Sequence, residues 1–79
     1  MLSPEQSRAA RGWLDWSQAD LAKRAHLSLS TVRDFEKGRR QPIPNNIEAI
    51  QRAIEAGGIR LTFGPDGKAL GITHGGKLP

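Results

Sequence analysis

Residues 17–38 read SQADLAKRAHLSLSTVRDFEKG and predict two short helices joined by a tight turn. Ser17 is placed to cap the first helix, and Asp20 can return the bond as in a capping box. The apolar residues of this helix recur at spacings of one, three and four, which predicts a buried face made of Leu21, Ala22 and Ala25.

The second helix of this stretch begins after Ser28, which is placed to cap it, and ends at Gly38, a residue suited to a left-handed cap. Val32 and Phe35 are expected to face the core. Helical geometry puts the remaining side chains on the opposite, outward face, which comprises Leu29, Ser30, Arg33, Asp34 and Lys37. Leu29 is therefore expected to be exposed.

The stretch resembles the helix-turn-helix of the phage repressor and Cro type, also called the xenobiotic-response-element family. The resemblance covers roughly residues 3–56. His26 departs from the pattern, because the family usually has Gly there to supply a positive φ, which His adopts with some strain. The matching positions are Gln18, Leu21, Ala22, Ala25, Leu27, Ser28, Thr31, Val32, Phe35, Glu36, Gly38 and Pro42.

The resemblance implies which residues meet DNA. Family members read bases with the start and exposed face of the second helix, here Leu29, Ser30, Arg33 and Asp34. Arg33 suits guanine and Leu29 a thymine methyl, whereas for Ser30 and Asp34 plain solubility is an open alternative. Ser28 is expected to cap the helix near a phosphate, and Gln18 to contact the DNA backbone.

The resemblance also implies a partly buried salt bridge between Arg11 and Glu36, which would orient the first and third helices more than stabilise them. The alternative to a salt bridge is that Arg11 and Glu36 are simply two exposed charges.

Basic residues cluster around the second motif helix and its exit in a chain of net charge +4. A charge run is usually a solvated face. This one coincides with the helix that would enter a major groove, which favours phosphate and base contacts by Arg33, Lys37, Arg39 and Arg40.

The flanking sequence predicts two more helices, so the fold class is mainly α, with four helices. Ser3, Pro4 and Gln6 form a helix start, and that helix is expected to run to about Leu14 with a buried stripe of Ala10, Trp13 and Leu14. A fourth helix is expected from about Pro44 to Ala56, with a core face of Ile47, Ile50 and Ile54.

After Gly57 the period changes to that of a strand, which predicts a C-terminal β-hairpin with a turn over residues 64–67 and a returning strand over Lys68–Ile72. The expected organisation is a DNA-binding domain over 1–57, a hairpin over 58–73 and a disordered tail over 74–79. The hairpin is expected to form a homodimer through Ile59, Leu61, Phe63, Leu70 and Ile72. The alternative is that it folds back on its own helices near Ile50 and Ile54 and that the dimer forms only on DNA.

Other functional classes find little support in the sequence. The chain has no cysteine and two separated histidines, so neither a metal site nor a cofactor is expected. No nucleophile–base pattern suggests an enzyme. The longest apolar runs are too short for a membrane helix, and a reducing cytoplasm fits the composition.

The sequence therefore predicts a regulator that binds double-stranded DNA, acting as a homodimeric repressor on a palindromic operator. The alternative is that the scaffold binds another regulatory protein, as an antiactivator or antitoxin would. An open, basic outward face on the second motif helix favours DNA, whereas an apolar patch including Leu29 favours a protein partner.

Overall fold

The structure, a computed structural model, describes residues 1–39 and 43–74. Its helices are α1 (Pro4–Leu14), α2 (Gln18–Ala25), α3 (Leu29–Lys37) and α4 (Pro44–Ala56), and an antiparallel hairpin follows, formed by β1 (Ile59–Phe63) and β2 (Ala69–His74). The predicted fold class is confirmed. Some predictions concern residues outside the described ranges. They are the DNA contact predicted for Arg40, the match to the family pattern at Pro42, and the tail beyond His74.

The helix ends form as the sequence predicts. Ser3 and Gln6 close one capping box, and Ser17 and Asp20 close another. The Ser28 hydroxyl accepts a hydrogen bond from the Thr31 N–H and so caps α3. Two left-handed residues end the motif helices, Gly38 at φ 68° and His26 at φ 58°.

All four helices contribute to one core. Val32 and Phe35, predicted to face inward, are 0% and 4% exposed. The isoleucines of α4 are buried, as their spacing predicts. Other buried apolar residues of the helices are Ala10, Leu21, Ala22, Ala25 and Ala53.

The buried face of α1 agrees with the predicted one at Ala10, which is buried, and at Leu14, which packs against the core, but not at Trp13. Trp13 is 64% exposed and its ring lies 5.6 Å from that of His74, centroid to centroid. The inward stripe is Gln6, Ser7 and Ala10. Two of these are polar, so hydrophobic periodicity could not reveal them. They can be buried because both make hydrogen bonds to other elements.

The hairpin folds back on its own helices, with β1 against α4 and β2 against α1. Ile59 and Leu61 are 3% and 8% exposed, and Ile72 packs against the core. This corrects the expectation that these three residues await a second chain, because the helices leave an apolar surface that they cover. Phe63 and Leu70 are exposed.

The returning strand also differs in extent and register. It begins at Ala69 and continues to His74, because His74 pairs with Ile59 at the far end of the ladder. His74 therefore belongs to the hairpin and not to the predicted tail. A register shift beside Thr62 separates Leu70 from the face shared by Leu61 and Ile72, and Leu70 is 71% exposed.

Gln6 attaches the hairpin to α1. Its side chain is buried, and its Nε2 donates to the carbonyl oxygens of Thr62 at 3.0 Å and Gly71 at 2.9 Å. Its Oε1 accepts from the Ser3 N–H at 3.0 Å. One amide thus caps a helix and bonds both strands. The sequence indicates only the first of these roles, because the second depends on residues more than fifty positions away.

Replacement of Gln6 by Leu is expected to lower the free energy of unfolding by about 2–3 kcal/mol, since two strand carbonyls lose their donor. Urea denaturation measures the loss. Gln51→Leu is the matched control, because among the described residues the Gln51 amide makes one exposed hydrogen bond, to Glu55, and a change below about 0.5 kcal/mol is expected. A Gln6→Leu protein as stable as the native one would contradict this role.

Candidate nucleic-acid interface

The turn between α2 and α3 fixes the direction of the second motif helix. The N–H of Leu27 donates to the Ala22 carbonyl at 2.9 Å, which closes α2 at the left-handed His26. Burial of Val32 and Phe35 then sets the rotation of α3 about its axis. As a result, α3 presents Ser30, Arg33 and Lys37 to solvent.

The predicted contact residues that the structure describes differ in exposure. Ser28 and Arg39, before and after α3, are exposed, whereas Leu29 and Asp34 are half-buried. The expectation that Leu29 is fully exposed is therefore corrected. Leu29 is the first residue of α3, and helical side chains tilt towards the helix N-terminus, so its side chain is directed back over the turn.

Glu36 of α3 lies at the centre of a polar cluster that joins three helices. Arg11 Nη2 donates to Oε1 at 2.7 Å and Arg11 Nε to Oε2 at 2.9 Å, so the ion pair implied by the family resemblance is present. Ser7 Oγ donates to Oε2, and Gln18 Nε2 donates to Oε1 at 3.1 Å. Arg11 also donates to the Trp16 carbonyl at 3.1 Å.

The electrostatics of this cluster favour the charged pair. The Glu36 side chain is 1% exposed and that of Arg11 is 18% exposed. Burial raises the pKa of the Glu36 carboxyl, but hydrogen bonds from Arg11, Ser7 and Gln18 together outweigh it and hold that pKa below its ordinary value. The hydrogen bond to Glu36 raises the pKa of Arg11. The pair is therefore ionised at neutral pH.

Gln18 is half-buried at the start of α2, where the resemblance implies a contact with the DNA backbone. Its amide group is oriented by the Glu36 carboxylate. An amide nitrogen has two N–H donors, and the bond to Glu36 uses one of them. The second is left for another acceptor.

Arg8 is a residue of this surface that the sequence reasoning missed. It is exposed, and its Nη1 donates to the main-chain carbonyl oxygen of Glu36. Its spacing of three from Arg11 places both side chains on one side of α1, which is the signal that could have found it. Basic or amide side chains from α1, α2 and α3 therefore surround the C-terminal end of α3.

Neither a metal-binding cluster nor a membrane-spanning helix is present in residues 1–39 and 43–74. No group of three or more His, Asp or Glu side chains in these ranges could hold a metal ion. No helix in the same ranges is both long and apolar enough to cross a membrane.

Comparison with known proteins agrees with the geometry. The family model HTH_3, described as a helix-turn-helix, matches residues 8–59, more than half of the chain. Comparison with curated protein sequences gave no match. The matched range contains the whole of α2, α3 and α4 together with Arg11 and Glu36. The chain therefore belongs to the HTH_3 family of Cro/C1-type helix-turn-helix proteins, a family of DNA-binding regulators.

Proposed function

We propose that this protein binds a specific operator sequence and represses transcription by occupying it. The observation that supports this most directly is the exposed face of α3, where Arg33 and Lys37 lie one helical turn apart and Arg39 follows at the exit. Among the described residues none of these three has a carboxylate within salt-bridge distance. Their charge is therefore available to phosphates and base edges.

In this proposal α3 lies in the major groove and each residue has a defined task. Arg33 binds a guanine edge, and half-buried Leu29 contacts a thymine methyl from the start of the helix. Ser30 and Asp34 help to read the base sequence of the operator. Phosphates are bound by Gln18, Ser28, Lys37, Arg39 and Arg40.

The chemistry of α3 favours DNA over the alternative of a regulatory protein partner. The large apolar side chains exposed in the described ranges are Met1, Trp13, Ile43, Phe63 and Leu70. None of them belongs to α3. A protein-binding surface centred on Leu29 would lack apolar neighbours on that helix, whereas cations are present there.

Two arginine variants separate base reading from phosphate binding. Arg33→Ala is expected to cost about 1–3 kcal/mol mainly at one base position, because a bidentate contact is lost. Arg39→Ala is expected to weaken binding to all sequences similarly. Selection from a randomised duplex library, followed by titrations over a salt series, measures both effects. Failure of the native chain to bind any library member at low salt would exclude the proposal.

We also propose a homodimer, because one helix reads only a short half-site and a palindromic operator presents two. With Ile59 and Leu61 in the core and Ile72 packed against it, the hairpin surface available to a second copy is reduced to Phe63, Leu70 and the strand edges. A contact about a two-fold axis would cover them.

Leu70→Glu is expected to shift the full chain from dimer to monomer in sedimentation at micromolar concentration, because it places a charge in the proposed contact. Its operator affinity should fall accordingly. Asp66→Lys, in the exposed turn, serves as a control for a charge change on the hairpin. A native chain that is monomeric on and off DNA would contradict the dimer. Truncation of the chain after Gly57 would not isolate the contribution of the hairpin to the dimer, because it also removes Ile59 and Leu61 from the core.

A further inference from the structure

We infer that Arg8 of α1 binds a DNA phosphate, as part of a basic cluster with Lys37 and Arg39. This inference rests on the proposed DNA binding and extends the contact surface to a helix outside the helix-turn-helix. The structure places the Arg8 guanidinium at the last turn of α3, the helix proposed to lie in the major groove.

The contact to Glu36 determines the neighbours of Arg8. Its Nη1 donates to the Glu36 carbonyl oxygen, and Lys37 is the next residue along the chain. At Gly38, φ 68° turns the chain back, so that the Arg39 N–H donates to the Asp34 carbonyl at 3.1 Å. The backbone of Arg39 is thereby folded onto the same helix end that Arg8 contacts.

A second contact of Glu36 relates the position of Arg8 to that of Gln18. The Glu36 carboxylate accepts from Gln18 at 3.1 Å, while its carbonyl accepts from Arg8. Gln18 at the start of α2 and Arg8 of α1 therefore share one partner at the last turn of α3. In this inference, a DNA backbone that runs from the start of α2 to the exit of α3 passes close to Glu36 and can reach the Arg8 guanidinium.

The chemistry of Arg8 suits a phosphate. A guanidinium carries five N–H donors in a rigid fork, and the bond to Glu36 uses one nitrogen. Arg8 is exposed, and the ion pairs within the described ranges are Arg11–Glu36 and Arg52–Glu48, so no carboxylate there neutralises it. The Glu36 carbonyl also holds the side chain in place before DNA arrives, which reduces the entropy lost on binding.

A purely structural role is the competing explanation. The last carbonyls of a helix lack intrahelical partners, and a cation at that end is favourable. Such a cap would affect the melting temperature of the protein. It would not change how DNA affinity depends on salt, because the number of counterions released depends on the phosphates neutralised.

The test is the affinity of the full chain for a short random-sequence duplex over a salt series. Arg8→Ala is expected to weaken binding about 5- to 20-fold at low salt and to make the slope of log K against log[salt] shallower by about 0.9. Arg8→Lys should restore the slope, since it keeps the charge. Arg52→Ala, which removes an exposed cation from α4, is the matched control and should leave the slope unchanged.

The outcomes distinguish this inference from the proposed function. If the native chain binds and Arg8→Ala keeps the native slope, Arg8 does not bind phosphate, whatever its effect on the melting temperature. The same conclusion follows if Arg8→Lys behaves like Arg8→Ala. If the native chain binds no duplex at all, the proposed function and this inference both fail.

Discussion

Replacement of Arg11 by Ala is expected to lower the free energy of unfolding by about 3–5 kcal/mol, because it leaves the Glu36 carboxylate buried without its cation. A domain of this size has a total stability on the order of 4–12 kcal/mol. The variant therefore loses a large share of it, and chemical denaturation at neutral pH measures the difference. The loss of unfolding free energy should be larger than that caused by replacing any exposed arginine with Ala.

The dependence of stability on pH distinguishes the native protein from this variant. In the native fold the pKa of Glu36 is held below its ordinary value, so the stabilisation is complete above about pH 4.3 and is lost as pH falls through the folded-state pKa. Without Arg11 the pKa of Glu36 is expected to rise relative to the native protein, because the largest of the contributions that lower it is lost. The variant should therefore gain less stability than the native protein as pH rises through about 4.3.

The Glu48–Arg52 pair on α4 provides the control. Its side chains are 62% and 78% exposed and its N–O distance is 3.5 Å. Arg52→Ala should change stability by no more than about 1 kcal/mol, since exposed pairs contribute little. Equal losses for Arg11→Ala and Arg52→Ala, with parallel pH profiles, would show that the buried pair does not hold the helices together.

Phe35→Ala is expected to destabilise the protein by about 3–5 kcal/mol, because it removes a ring from the core and leaves a cavity. Phe35 is 4% exposed and lies on the inward side of α3, so its loss also frees α3 to change its rotation. Urea denaturation measures the stability. DNA binding should fail together with folding.

Leu29→Ala is the matched comparison on the same helix. Leu29 is half-buried, so its truncation should cost no more than about 1 kcal/mol while weakening binding at a thymine of the operator. Phe35→Ala should therefore reduce both stability and DNA binding, whereas Leu29→Ala should weaken DNA binding with little loss of stability. Thermal melts with the reverse ranking would mean that the inward and outward sides of α3 have been assigned wrongly.

Local sequence patterns determined most of the secondary structure. The caps at Ser3, Ser17 and Ser28 each act within three residues, so they could be predicted without knowledge of the fold. Apolar spacing likewise identified Val32 and Phe35 as inward residues and predicted four helices followed by two strands. The same period placed Ser30, Arg33 and Lys37 on the outward face of α3, but it did not reveal that Leu29 is half-buried.

Tertiary contacts decided the features that spacing cannot encode. Gln6 and Ser7 are buried because their partners, Thr62, Gly71 and Glu36, come from distant parts of the chain. Trp13 is exposed because Gln6, Ser7 and Ala10 occupy the face of α1 that meets the core. Ile59 and Leu61 cover the helices instead of awaiting a second copy, since alternation along a strand identifies an apolar face but not the surface that it meets.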